Sequence, residues 1–167
     1  MHDSASALDA ADWDALLARQ RHPTPFMRHA YLLAMEASGS ATGDTGWSPS
    51  WLTIEQHGTL RAACPVYLKG HSYGEYVFDW SWADAYRRHG LRYYPKALCA
   101  VPFTPVPGSR LLADGEIWRD RLIRALQALA RNGLKIVAAR GAAEGVAATS
   151  LDALTETRER DVAKTMT

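Results

Sequence analysis

The sequence lacks the long apolar run of a membrane helix, because no stretch approaches the ~18 apolar residues that a span requires. It also lacks an excess of one charge, with 19 Lys and Arg against 18 Asp and Glu, whereas binding to nucleic-acid phosphates needs a clustered basic face. The first residues, "MHDSASALDAADWD", have neither the basic start nor the apolar run of a secretory signal. These absences argue against DNA as a partner and against a membrane span, and they predict a cytoplasmic protein.

Motifs for common chemistries are equally scarce. The sequence has no Walker phosphate loop, no G-x-G-x-x-G fingerprint and no serine in a nucleophile elbow. None of its six histidines forms a metal-ligand pair at a recognised spacing. Its two cysteines, Cys64 and Cys99, lie in apolar runs and are predicted to be small buried residues in a reducing compartment. We therefore expect neither a metal site nor a tightly bound cofactor.

The chain does contain the alternating elements of one domain. Its 167 residues, 47% hydrophobic and 22% charged, are typical of a single globular domain. Apolar spacing predicts helices over about 8–19, 25–37 and 115–131, and strands over 51–56, 60–68, 97–101 and "LKIVAA". Thr24 and Asp114 are expected to cap the second and third helices, and "HG" to close a hairpin. This order predicts a mixed α/β layer domain.

The composition changes toward the end of the chain. None of the six Trp, seven Tyr and three Phe residues lies beyond Trp118. From residue 140 onward the sequence is mainly Ala, Gly, Thr and charge, which favours a disordered or weakly helical segment. The prediction is a domain over 1–139 followed by a tail over 140–167.

One segment, "KGHSYGEYVFDWSWADAY", concentrates aromatic rings and acids. Glu75, Val77 and Asp79 would share one face of an extended stretch. A helix is then predicted within "SWADAY", with Ser81 as its cap and Asp84 completing a capping box. Buried Tyr and Trp side chains need polar partners, so this density favours a recognition groove over a plain core.

Two interpretations of this segment stay open on the residues alone. In the first it is an acid/base site, where Glu75 or His71 accepts a proton from an attacking amine and Asp79 orients a partner. In the second, His71 is a turn residue, Glu75 pairs with Lys69 or Lys96, and the rings pack on the sheet.

A second segment, "AVPFTPVPGSRLL", places a rigid turn with Ser109 and Arg110 between a strand and a helix. Backbone N–H groups, a helix dipole and a guanidinium can together bind an anion. The alternative is a proline-braced loop in which Arg110 forms a salt bridge.

Three strings of the sequence resemble a known family: "TPFMRHAYLLAMEASGSATGDTGWSP", "CPVYLKGHSYGEYVFDWSWADAYRRHGLRYYPKAL" and "VPFTPVPGSRLL". They resemble a bacterial family of peptidoglycan biosynthesis or recognition proteins, which is similar to Fem-type aminoacyl transferases of the GNAT superfamily. The resemblance covers about 23–112. It implies a GNAT-like mixed sheet flanked by helices, as the N-terminal lobe of a two-lobe architecture.

The resemblance also implies an acyl or aminoacyl transferase that acts on an amine of a small molecule or cell-wall precursor. Glu75 or His71 would accept the proton with support from Asp79. The groove and its anion contacts would be formed by Tyr73, Trp80, Trp82, Tyr86, Tyr93, Tyr94 and Lys96. The phosphates of a donor, acyl-CoA or aminoacyl-tRNA, would lie at Thr104, Gly108, Ser109 and Arg110.

Two further hypotheses remain beside the transferase. The aromatic groove could hold a peptidoglycan precursor or peptide without any chemistry. Family members continue into a second GNAT-like half, and the sequence after "RNGL" departs from that pattern. The chain would then be a truncated, inactive half that self-associates through an uncovered surface.

Overall fold

The computed structural model describes residues 1–76, 78–131 and 135–138, and within them it shows four α-helices and a mixed sheet of five strands. The prediction of a mixed α/β domain is confirmed. The helices are α1 (Ala10–Ala18), α2 (His29–Ala37), α3 (Trp80–Arg88) and α4 (Glu116–Arg131). The strands are β1 (Trp47–Gln56), β2 (Thr59–Lys69), β3 (Lys96–Cys99), β4 (Leu112–Ala113) and β5 (Lys135–Ala138).

The sheet has the order β1-β2-β3-β5, in which β2 is antiparallel to β1 and β3, and β3 is parallel to β5. Strand β3 pairs with Tyr67, Leu68 and Lys69 of β2, whereas β4 pairs with Ala62 and Ala63. Both short strands therefore lie along the edge of β2 that faces away from β1. The loop over 100–111 leaves this edge and returns to it.

Side chains alternate along β2 between two helical layers. Cys64 and Val66 pack with Leu122 and Leu126 of α4 on one face. Ala63 packs on the opposite face with the cluster of α1 and α2. Both cysteines are free and buried, as predicted. The sheet is thus covered by α4 on one side and partly covered by α1 and α2 on the other.

The predicted hairpin and helices are present, with shifted starts. His57 and Gly58 have φ values of 52° and 73°, the conformation that a two-residue hairpin turn needs. The second helix begins later than expected, because Arg28 is extended and a short 3-10 turn over Pro25–Met27 precedes it. Thr24 makes no side-chain cap bond to that turn. The whole predicted tail over 140–167 lies outside the described residues.

The crowded segment differs from its prediction. Its described residues between β2 and α3 belong to no helix or strand, and α3 begins at Trp80, so Asp79 and not Ser81 precedes the helix. Asp84 pairs with Arg87 at 2.8 Å, and no side-chain bond caps the helix start. The expected extended face includes Val77, which lies outside the described residues. No helix in the described part of the chain is long and apolar enough to cross a membrane.

Candidate functional site

Two lysines lie opposite each other inside the protein. Lys69 ends β2, Lys96 begins β3, and the two are cross-strand partners in the antiparallel register. Both side chains are 0% exposed. Like charges directly opposite on a sheet destabilise it, and a buried ammonium is costly unless it is paired. The surrounding residues must therefore supply compensating groups.

Lys96 is compensated by two carboxylates. Its Nζ donates to Oε2 of Glu75 over 2.7 Å and also to Oδ2 of Asp79. The carboxylate side chains are themselves 9% and 13% exposed. The segment after β2 thus folds back over the sheet and brings both acids onto one ammonium. The contact of Lys96 with an anionic substrate group stays a prediction; in the structure this ammonium is bound to two acids.

Asp79 accepts more hydrogen bonds than Glu75, the other acid on Lys96. Its Oδ1 accepts from Ser72 and, over 2.9 Å, from the Tyr94 hydroxyl, while its Oδ2 accepts from Tyr93 over 2.6 Å besides Lys96. Burial alone would raise the pKa of Asp79, but the bonds from Lys96 and Tyr93 outweigh it and hold that pKa below its ordinary value. Asp79 is therefore a stable anion that organises its neighbours.

Glu75 has the opposite character. Burial raises the pKa of Glu75 above its ordinary value, although Lys96 works against that rise. Its second oxygen, Oε1, is buried and has no hydrogen-bond partner among the residues that the structure describes. The same holds for the indole Nε1 of Trp47, which lies 3.0 Å from the Cβ position of Gly74. A buried donor beside Gly74 and a buried acceptor on the residue that follows it are thus both unsatisfied.

Lys69 is held differently from its partner. Its Nζ donates to the backbone carbonyl of Tyr73 over 2.8 Å and lies 3.7 Å from the centre of the Trp47 ring. Burial lowers the pKa of Lys69 to about 8, against an opposing effect of Glu75. Sequence reasoning considered Lys69 only as a pairing partner of Glu75 and missed it as a site residue. The sequence does contain a signal for it: Lys69 lies two residues after Tyr67 in a strand, so both side chains point to the same face of the sheet.

His71 lies beside this cluster and is not bonded to it in any contact that the structure describes. Its Nδ1 accepts from the backbone N–H of Tyr73 over 3.2 Å. The His71 ring occupies the space next to Gly46, where a Cβ would lie 2.3 Å from Nε2. His71 thus lies in a bend of the chain, and its role as a proton acceptor stays a prediction.

The aromatic residues of the expected groove separate into two sets. Tyr93 and Tyr94 are half-buried and donate to Asp79, and Tyr86 packs on Tyr93 with ring centres 5.3 Å apart. Burial raises the pKa of Tyr94 to about 12. The others face solvent, with exposed fractions of 63% for Tyr73, 54% for Trp80 and 54% for Trp82.

A pocket of 390 Å³ adjoins the cluster. It lies between α3 and the segment that leads to β3. Its lining consists of Ala83, Asp84, Arg87, Leu91, Arg92, Tyr93 and Tyr94. Because the two tyrosines also donate to Asp79, a molecule in this pocket would lie next to the buried charges.

The loop expected to hold donor phosphates is arranged differently from the prediction. Strand β4 separates it from α4, so its turn does not lead directly into a helix N-terminus. Arg110 donates back to the carbonyl of Val106 over 2.5 Å. Ser109 is fully buried, and Thr104 bonds to Tyr31 and its own loop. The atoms nearest to the Cβ position of Gly108 belong to Thr24 and Arg110.

The predicted cap of α4 also has another role. The Asp114 carboxylate pairs with Arg61 over 2.6 Å and with Arg19 over 3.8 Å. This ion pair joins the start of α4 to β2 and α1. Within the described ranges, no group of three or more His, Cys, Asp or Glu is arranged to hold a metal ion.

Fold and site together define a class: a mixed α/β domain with a buried ionic cluster beneath a tyrosine-lined pocket. A FemAB-like family model, described as peptidoglycan biosynthesis/recognition, matches residues 4–155. The chain belongs to this family. The match extends beyond 23–112 in both directions. No curated protein and no solved structure matches the chain, so the GNAT-like form of the sheet stays a prediction.

Proposed function

We propose that the chain transfers an activated acyl or aminoacyl group to an amine, on a peptidoglycan precursor, at the cluster around Lys96. The observation that carries the proposal is Glu75, a buried carboxylate with a raised pKa and one unsatisfied oxygen. A general base works best when its pKa lies near the operating pH, and burial moves a glutamate in that direction. The family supplies the peptidoglycan context.

In the proposed reaction the amine nitrogen attacks the activated carbonyl and a new C–N bond forms. Glu75 takes the proton that the amine loses, and it returns a proton to the leaving group when the acyl bond breaks. The carbonyl oxygen becomes negative on the way and needs N–H donors. We assign this role to the unsatisfied indole of Trp47 and to Lys69, which lies over its ring.

Asp79 and Lys96 have supporting roles in this scheme. Asp79 fixes Lys96, Tyr93 and Tyr94, and Lys96 in turn fixes Glu75. Such support matters because small displacements of a base weaken proton transfer strongly. The acceptor would enter through the pocket that Tyr93 and Tyr94 line.

The donor in this proposal is an acyl-CoA or an aminoacyl-tRNA, both of which carry an activated carbonyl. Each is made in the cytoplasm, where we expect the reaction to occur. The inward position of Arg110 gives no direct support to a phosphate contact at the loop over 104–110. The proposal therefore includes a binding site for the donor elsewhere on the chain.

The test is amide formation between each labelled donor and a cell-wall nucleotide precursor, using the whole chain. We expect Glu75→Gln to lower turnover by at least about a hundredfold, with little loss of stability. Glu55→Gln, at an exposed glutamate of β1, is the matched control and should leave turnover unchanged. An unchanged rate in Glu75→Gln would remove Glu75 from the mechanism.

A second candidate function is recognition of the precursor without chemistry. It is favoured by the closed state of the cluster, in which both acids are bound to one ammonium and both lysines are fully buried. Equilibrium binding of the precursor, with no product from either donor, would support recognition. Loss of that binding on filling the pocket with Ala83→Trp would locate it between α3 and β3.

A further inference from the structure

The outward aromatic residues form a surface that the proposed reaction does not use. Of the nine exposed large hydrophobic side chains in the described part of the chain, five lie within residues 73–82. They are Tyr73 (63% exposed), Tyr76 (81%), Phe78 (53%), Trp80 (54%) and Trp82 (54%). We call these five residues the aromatic surface. Monomeric soluble proteins rarely expose such a group without a partner.

Ring contacts make part of this surface continuous. The ring centres of Phe78 and Trp80 lie 5.1 Å apart, and those of Tyr73 and Trp80 lie 6.2 Å apart. Helix α3, which begins at Trp80, has no buried residue and therefore lies outside the core. The surface is thus a projecting feature and not a partly covered piece of the interior.

The charges beside the aromatic surface are mainly positive. Arg87, Arg88 and Arg92 are all exposed, and the only exposed acid between Tyr73 and Arg92 that the structure describes is Asp84. The other two acids of this segment are turned inward onto Lys96. A near-neutral chain therefore presents local positive charge next to its largest exposed aromatic group.

We propose that the aromatic surface and its arginines dock this protein on an anionic lipid bilayer, at the level of the headgroups. Trp and Tyr favour that level because their rings are apolar and their tips are polar. Arginines beside them meet the lipid phosphates, and each basic residue near an anionic membrane strengthens binding roughly fivefold. The pocket lined by Arg87 and Arg92 would then open close to the membrane surface.

The occupant that the residues favour is lipid and not sugar. Phe78 and Leu91, which is 43% exposed and lines the pocket, have no polar group that could bind a hydroxyl. Three arginines against one exposed acid complement an anionic surface, whereas a neutral glycan gains little from them. This inference does not depend on the proposed transferase chemistry.

The test is co-sedimentation of the whole chain with vesicles of phosphatidylglycerol and phosphatidylcholine, compared with pure phosphatidylcholine. We expect binding to the anionic vesicles that weakens as salt is added. The double variant Trp80→Ala/Trp82→Ala should bind at least about tenfold more weakly. The double variant Arg88→Gln/Arg92→Gln should lose most of the salt-dependent part of the binding to anionic vesicles.

Matched controls lie on α4. Ile117 is 70% exposed, so Ile117→Ala removes an exposed apolar side chain elsewhere. Arg121→Gln/Arg124→Gln removes two exposed arginines from the same helix. Both controls should bind vesicles like the wild type. Thermal unfolding of each variant checks that the fold is intact.

Three results would overturn the proposal. The wild type could fail to sediment with anionic vesicles. The Trp80→Ala/Trp82→Ala variant could bind as tightly as the Ile117→Ala control. Light scattering without lipid could instead show a dimer that the tryptophan substitutions dissolve, which would make a second copy of the chain the occupant.

Discussion

Replacing Lys96 by methionine tests whether the buried cluster is a strongly coupled ionic unit. The Lys96 ammonium is fully buried and lies 2.7 Å from Glu75, with Asp79 also bound to it. Methionine fills much of the same space but leaves two buried carboxylates without a cation. Removing one partner of a buried ion pair typically costs about 3–5 kcal/mol. At roughly 2–4 °C per kcal/mol for a domain of this size, Tm should fall by roughly 6–20 °C.

The exposed pair on α3 provides the control. Arg87 and Asp84 lie 2.8 Å apart, but their side chains are 80% and 59% exposed. Such exposed pairs contribute about 0–1 kcal/mol to stability, so Arg87→Met should change the Tm little. Circular dichroism during heating and urea titration measures both variants. If Lys96→Met lost no more stability than Arg87→Met, the reasoning would be refuted.

Two further predictions concern the glycine turn and the second lysine. Gly74→Ala should destabilise the fold by about 1–3 kcal/mol more than Gly58→Ala in urea titrations. Both glycines have positive φ, but only at Gly74 would an added Cβ lie 2.4 Å from the Phe103 ring. Equal losses of stability in the two variants would contradict this. Lys69 has its pKa lowered from 10.5 to about 8, so the wild type should gain stability from about pH 8 to 10.5, where the unfolded chain binds more protons. Lys69→Met should lack this gain, and parallel pH profiles for the two proteins would argue against it.

Local patterns predicted most of the fold. Strand alternation and the "HG" turn gave the β1–β2 hairpin, because turn chemistry and side-chain parity act between neighbours in sequence. Apolar spacing predicts a start of α2 that is too early, since Pro25–Met27 forms a separate 3-10 turn before Arg28. A helix start depends on the backbone of one residue, and apolar spacing carries no information about that residue.

The site was predictable only in part, because its ion pairs depend on contacts between residues that are distant in sequence. The pairing of Glu75 with Lys96 was one of two alternatives, because two lysines lay within reach along the sequence. Choosing between them needs the register of β2 and β3, which is a long-range property. The inward turn of Arg110 could not be foreseen either, since its partner, the carbonyl of Val106, has no signature in the sequence.

Glu75 and Asp79 should respond to pH in opposite directions, although they share one ammonium. Asp79 has a lowered pKa, so its stabilising effect is present above the ordinary value of 3.8 and is lost as the pH falls. Asp79→Asn should therefore cost stability at neutral pH and cost less in acid. Glu75 has a raised pKa, so ionising it opposes folding as the pH rises beyond the ordinary value of 4.5.

As the pH rises from acid to neutral, the stability of Glu75→Gln relative to the wild type should accordingly become more favourable, and urea titrations across that range measure both variants. If the two variants showed the same pH trend, the environments of Glu75 and Asp79 would not differ as described. Opposite trends would mean that one carboxylate is kept as a fixed anion while the other is ready to exchange a proton. A reaction in which an amine must lose a proton requires this division between two neighbouring acids.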